Sequence, residues 1–149
     1  VSVRAQIADV SVRFAAPRQA VFDYLSDPAN RPAWQSSLRS VDALKAPGAQ
    51  PGDIGSSWAD VTVVPWVRPR LEVTECLRGR RWEEIGGWHA VDAHLALMFT
   101  DTTDAGTEVR AVARLTVPTI VAPVLPIVRV LTPPALRSDL RRAAELVGR

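Results

Sequence analysis

The sequence predicts one α+β domain in which a curved antiparallel sheet of seven strands wraps a long C-terminal helix. Three observations predict it. Apolar and polar residues alternate with a period of two in most runs between Ile7 and Val117, as half-buried strands require. Short stretches rich in Gly, Pro and Asp separate these runs, which favours neighbouring antiparallel strands. The chain then changes period: Leu136, Leu140, Ala143, Ala144 and Val147 fall on one face of a helix. A length of 149 residues suits one domain.

The first strand carries Ile7, Val10, Val12 and Phe14, with Ser11 and Arg13 between them. Pro17 opens a helix, where its fixed φ suits the first turn, and Val21, Tyr24 and Leu25 share a face of it. Asp27-Pro28 ends that helix, because the residue before proline is pushed out of the helical region. Asn30 to Trp34 reads as a second short helical turn. Strands follow at Leu38 to Leu44, Ser57 to Val64, Arg70 to Leu77, Arg80 to Ile85, Ala90 to Thr100 and Gly106 to Val117. The loop Ala46 to Gly55 is dense in Pro and Gly. Val117 to Leu131 is nearly all apolar but holds Pro118, Pro123 and Pro126, so the expected helix is interrupted there and restarts at Pro133-Pro134 with Thr132 as its cap.

Composition narrows the function classes. Cys76 is the only cysteine, which rules out an internal disulfide framework and fits a cytoplasmic, reducing location. Val1 to Val10 lacks the layout of a signal peptide, and no run approaches 18 uninterrupted apolar residues, so no spanning helix or stable membrane insertion is expected. The net charge of +2 is modest, and only Arg78, Arg80 and Arg81 cluster, at a turn. A nucleic-acid partner is therefore not expected. His89 and His94 face opposite sides of a strand and match no zinc spacing, so no metal is expected. No phosphate loop, dinucleotide fingerprint or nucleophile elbow is present, and no cofactor is expected.

The order strand, two short helices, six strands and long helix is a helix-grip layout. "FAAPRQAVFDYLSDPANRPAW" (Phe14 to Trp34), "GDIGSSW" (Gly52 to Trp58), "LEVTECLRGRRWEE" (Leu71 to Glu84) and "GTEVRAVARL" (Gly106 to Leu115) occur in that order. Together they resemble the polyketide cyclase/dehydrase and lipid-transport branch of the START-like superfamily (SRPBCC), relatives of the birch-pollen allergen fold. Phe22, Leu25, Asp27, Pro28 and Trp34 match its opening motif, whereas Cys76 stands where an aromatic residue is usual. The resemblance implies a hydrophobic cavity between sheet and C-terminal helix. Family members bind lipids, sterols, polyketides or hormones there, and some cyclise or dehydrate polyketides.

Combined with the alternating faces, this points to binding of a hydrophobic small molecule. The expected walls are Trp58, Trp82, Leu95, Leu97, Phe99, Val109, Ala111 and Ala113. Alternation puts Asp60 beside Trp58, and Glu84 beside Trp82, on one face. If the tryptophans point inward, both carboxylates do too, and either is a candidate general acid or base for a cyclase or dehydratase. In the opposite register Val61, Val63 and Ile85 are inside and both acids are wet. Trp34 is expected in the core and Trp66 at a rim. Val117 to Leu131 is open to four readings: a lid, a homodimer surface, a membrane contact, or a plug that fills the cavity and leaves an interaction module.

Overall fold

The computed structural model describes residues 1–148. Its first strand, β1 (Ser2–Phe14), buries Val10, Val12 and Phe14 on one face, as the alternation requires. A bulge between Gln6 and Ala8 resets its pairing. Then come α1 (Arg18–Ser26), a 3₁₀ turn at Pro28–Asn30 and α2 (Arg31–Trp34). The Asp27 carboxylate caps the 3₁₀ turn by accepting the Ala29 N–H at 3.0 Å. The remaining strands are β2 (Leu38–Lys45), β3 (Ser57–Thr62), β4 (Arg70–Leu77), β5 (Arg81–Trp88), β6 (Val91–Asp101) and β7 (Thr107–Pro118). They form one antiparallel sheet in the order β1-β7-β6-β5-β4-β3-β2.

A second 3₁₀ stretch, Thr119–Val124, leads into α3 (Leu125–Val147). This corrects the expected restart at Pro133: the helix runs unbroken from Leu125 through Pro133 and Pro134. Each proline removes one N–H donor and frees the carbonyl four residues back. Those carbonyls belong to Arg129 and Val130, both exposed residues, so water can satisfy them. The helix packs mainly along β1 and touches α1 and α2. Leu140 and Ala143 join Val21, Phe22, Leu25, Leu97, Phe99 and Val109 in the main core, where the Phe22 and Phe99 rings meet edge to face at 4.9 Å.

The loop before β3 is pinned rather than loose. Gly52 has φ +84°, and a Cβ there would sit 2.1 Å from the Ser26 carbonyl oxygen. Its own carbonyl accepts the Trp82 indole N–H at 3.0 Å. Gly52→Ala therefore combines a disfavoured backbone conformation with a backbone clash, and should cost about 1–3 kcal/mol or more of unfolding free energy. Urea denaturation of the two proteins measures this directly.

Candidate functional site

The sheet puts Trp58, Asp60, Trp82 and Glu84 on its inner face, in the register that turns both carboxylates inward. Trp58 pairs with Leu71 across β4, and Glu84 pairs with Val73 and Leu95. The Trp58 and Trp82 rings stack at 6.4 Å with a 13° interplanar angle. Trp58 donates its indole N–H to the Asp60 Oδ1 at 2.9 Å. Asp60 is only 5% exposed and Glu84 only 3% exposed. Uncompensated, two such charges would be untenable in the interior.

The compensating group is Arg31, at the start of α2. Its side chain is buried among the tryptophans, 3% exposed as a residue. Nη1 donates to both Glu84 oxygens at 3.1 Å, and Nη2 lies 3.7 Å from the Asp60 Oδ2. The guanidinium carbon stands 5.0 Å from the Trp58 ring centroid, close enough for a cation–π contact. One cation thus faces two carboxylates. The Arg31 Nε and the Trp34 Nε1 are buried without a hydrogen-bond partner among the described residues.

Burial pushes the Asp60 carboxyl above its ordinary value, against the opposing pull of the Arg31 charge and the hydrogen bonds from Trp58 and Arg31. Burial likewise raises Glu84, and the neighbouring Asp60 charge raises it further while Arg31 opposes both. The folded chain therefore holds protons here more tightly than the unfolded chain does. The stability contributed at these sites is fully present below the ordinary carboxylate range of about 4. It falls as pH rises toward the raised values. Glu84→Gln removes one of the two titrating groups and leaves Arg31 to Asp60 alone. Measured by urea denaturation between acid and neutral pH, its stability relative to wild type should increase as pH rises.

The inner face is closely packed around Leu97 and Phe99 and again in a second cluster of Ala5, Val117 and Leu125, and its cover is thinner elsewhere. Leu97, Phe99, Val109 and Ala111, four of the expected walls, are fully packed in the core, whereas Leu95 and Ala113 are half-buried. Towards the start of β6 the cover thins further: Leu71, Gly86 and Leu115 are half-buried and Ala93 is exposed. Asp60 and Glu84 sit at the edge of the main core, next to these half-buried positions. Leu71 lies over Gly86, where a Cβ would approach its side chain to 3.2 Å, so the glycine lets β4 and β5 close up.

Two surface grooves lie outside this interior. One of about 650 Å³ crosses the outer face of the sheet between Arg4, Arg70, Arg114 and His94 over Gly86 and Gly87. The other, of about 640 Å³, lies at Val1, Pro118, Thr119 and Ile120. His94 is half-buried on the outer face with its Nε2 2.7 Å from the Glu83 Oε1. His89 occupies the β5–β6 turn at φ +54°, its ring 4.5 Å from that of Trp88. Trp34 is in the core, and Trp66 is exposed on the β3–β4 loop. Among the described residues, no group of three His, Cys, Asp or Glu side chains gathers in a metal-binding arrangement.

Arg31 is the residue that the strand pattern did not bring forward. Alternation says nothing about a residue on a short helical turn. The signal was indirect: two inward carboxylates demand an inward cation, and Arg31 lies in the motif whose aspartate, proline and tryptophan fix that turn.

Known proteins share this architecture. The di-domain ARO/CYC StfQ from the steffimycin biosynthetic pathway superposes with a TM-score of 0.77 at 14% identity, over 99% of this chain and 51% of that one. Norcoclaurine synthase from Thalictrum flavum gives 0.71 at 14% identity, over 98% of this chain and 87% of its own. It has also been solved in complex with dopamine and hydroxybenzaldehyde. A protein from Deinococcus radiodurans gives 0.59 at 24% identity, over 97% and 95% of the two chains. No curated protein matches the chain in sequence. The family model described as polyketide cyclase / dehydrase and lipid transport matches residues 5–148. With the helix-grip sheet, the long C-terminal helix and this match over nearly its whole length, the chain belongs to the polyketide cyclase / dehydrase and lipid transport family.

Proposed function

We propose that the chain binds a flat, apolar small molecule of polyketide or other aromatic type in the less fully covered part of its interior. In this reading the Arg31–Glu84–Asp60 cluster forms the inner end of the site. The observation that carries it is the position of that cluster: buried acids and a guanidinium at the boundary between a closed apolar core and half-buried Leu95, Ala113 and Leu115. Ligand sites commonly combine apolar walls with a few convergent polar groups. A carbonyl or phenol oxygen on the ligand would find donors and acceptors there, while its rings lie on Leu71, Leu95 and Leu115. The small aromatic molecules held by the norcoclaurine synthase structure support this class of ligand. Solvent extraction of natively purified protein followed by mass spectrometry tests the reading. One apolar compound in stoichiometric amount supports it, and an extract with no such compound counts against a resident ligand.

A second reading, catalysis of cyclisation or dehydration, is favoured by the raised carboxyls of Asp60 and Glu84. A carboxyl that keeps its proton nearer neutrality can protonate a departing hydroxyl, and its conjugate base can take a proton next to a carbonyl. The two readings separate on Glu84→Gln. Catalysis predicts loss of turnover with binding retained, whereas binding alone predicts no turnover in either protein.

A further inference from the structure

Although Leu44, Ile54 and Leu77 lie at one end of the molecule and Ile85 on the outer face, most of the exposed large apolar side chains lie at the other end. The ends of β3, β5 and β7 and the starts of β1, β4 and β6 all lie there, because the sheet is antiparallel throughout. The β3–β4 loop carries Val63, Val64 and Trp66 to that end, and Trp66 is 73% exposed. The join from β7 into α3 brings Ile120, 89% exposed, and Ile127, 61% exposed, with Val124, Val130 and Leu131 also open to solvent. Thr119 is held against Val1 by a backbone hydrogen bond of 3.1 Å, so this apolar join is fixed to the start of β1.

By length and composition alone, Thr119–Val147 would qualify as a membrane-crossing helix, with a mean hydropathy of 1.6 in its most apolar window. Its inner stripe is committed to β1 and the core through Leu125, Leu140 and Ala143, so only its outer face is free to meet a lipid phase.

The apolar stretch from Val117 to Leu131 holds one cation, Arg129, and interfacial helices normally need a cationic flank. The fold supplies that flank from other strands. Arg4 near the start of β1 and Arg70 at the start of β4 occupy this end, and neither forms an ion pair among the described residues. Arg68 stands on the Trp66 loop, with only a 4.0 Å contact to Asp42. Glu72 and Asp92 are the nearest acids on the outer face, and with Asp42 they are outnumbered once Arg114 and Arg129 are included. An apolar end carrying an exposed tryptophan and flanked by free arginines matches the boundary between anionic headgroups and acyl chains.

We propose that this end of the fold docks on the surface of an anionic lipid bilayer. Trp66, Ile120, Ile127 and Leu131 enter the headgroup–acyl boundary, and Arg4, Arg68 and Arg70 meet the headgroups. The contact is peripheral, since α3 stays packed on the sheet. It does not rest on the ligand reading above, and its test uses no interior ligand.

The experiment is co-flotation of the full chain with vesicles of phosphatidylcholine alone or mixed with phosphatidylglycerol. Wild type should float with the mixed vesicles and stay behind with the neutral ones. Arg4→Gln/Arg70→Gln should weaken the association about thirtyfold, taking roughly fivefold per arginine at the surface. Ile127→Asp/Leu131→Asp should abolish flotation with an unchanged melting temperature, because both side chains are exposed. Failure of wild type to float with the anionic vesicles would overturn the proposal, as would equal flotation with both vesicle types. Sedimentation showing a dimer that Ile127→Asp/Leu131→Asp dissociates, without vesicle binding, would assign the same face to a second copy and would also overturn it.

Discussion

Arg31→Met should lower the unfolding free energy by about 3–5 kcal/mol, the range seen when one partner of a buried ion pair is removed. The cause is what remains behind. Asp60 and Glu84 stay buried, 5% and 3% exposed, and lose the guanidinium that meets both. Folding would then require protonating both or exposing the interior. The loss should accordingly shrink at low pH, where both carboxyls are neutral. Adding Asp60→Asn and Glu84→Gln to Arg31→Met should recover much of the stability, because no net buried charge then remains. Urea denaturation of the single and triple variants measures both effects. Equal stability of Arg31→Met and wild type at neutral pH would show that the cluster is solvated.

Trp82→Ala should cost about 3–5 kcal/mol, as large aromatic truncations in cores do. Trp82 is 1% exposed, stacks on Trp58 and donates to the Gly52 carbonyl. Its loss would open a void beside Glu84, strip the Gly52 loop of its anchor and leave a buried carbonyl without a donor. Trp82→Phe keeps most of the volume and loses the hydrogen bond, so it should cost less, about 1–3 kcal/mol. Thermal melts of the two variants separate packing from the loop anchor: similar losses would mean that the indole N–H carries most of the effect.

Strand parity was the most legible part of the site. A period of two ties Asp60 to Trp58 and Glu84 to Trp82, so once the tryptophans are known to be inside, the carboxylates follow. What parity could not supply was the choice of face, which depends on tertiary packing of α1 and α3 over the sheet. It could not supply Arg31 either, since the 3₁₀ turn at Pro28–Asn30 carries that side chain across the interior to strands 29 and 53 residues further on, at Asp60 and Glu84. The continuity of α3 through Pro133 and Pro134 was hidden for a related reason. A proline within a helix costs less where the carbonyl it frees can reach water, and exposure is a property of the folded molecule.

The uneven cover of the inner face was equally invisible in the sequence. Leu95, Leu97 and Phe99 form one uniform apolar stripe along β6, yet Leu97 and Phe99 lie under α1 and α3 while Leu95 is half-buried. Where the helix cover ends depends on α3 lying along β1, and no residue pattern within β6 records that. The expected walls therefore fall partly in the closely packed core, at Leu97, Phe99, Val109 and Ala111, and partly at half-buried positions, at Leu95 and Ala113.

Titration with the apolar fluorophore N-phenyl-1-naphthylamine, comparing wild type with Leu95→Trp and Ile85→Trp, tests the binding site most directly. Leu95 faces the interior beside Glu84, whereas its strand neighbour Ile85 faces outward. The account predicts saturable one-to-one binding to wild type and Ile85→Trp, and loss of that binding in Leu95→Trp. Binding that survives Leu95→Trp and disappears in Ile85→Trp would place the ligand on the outer face of the sheet and contradict it.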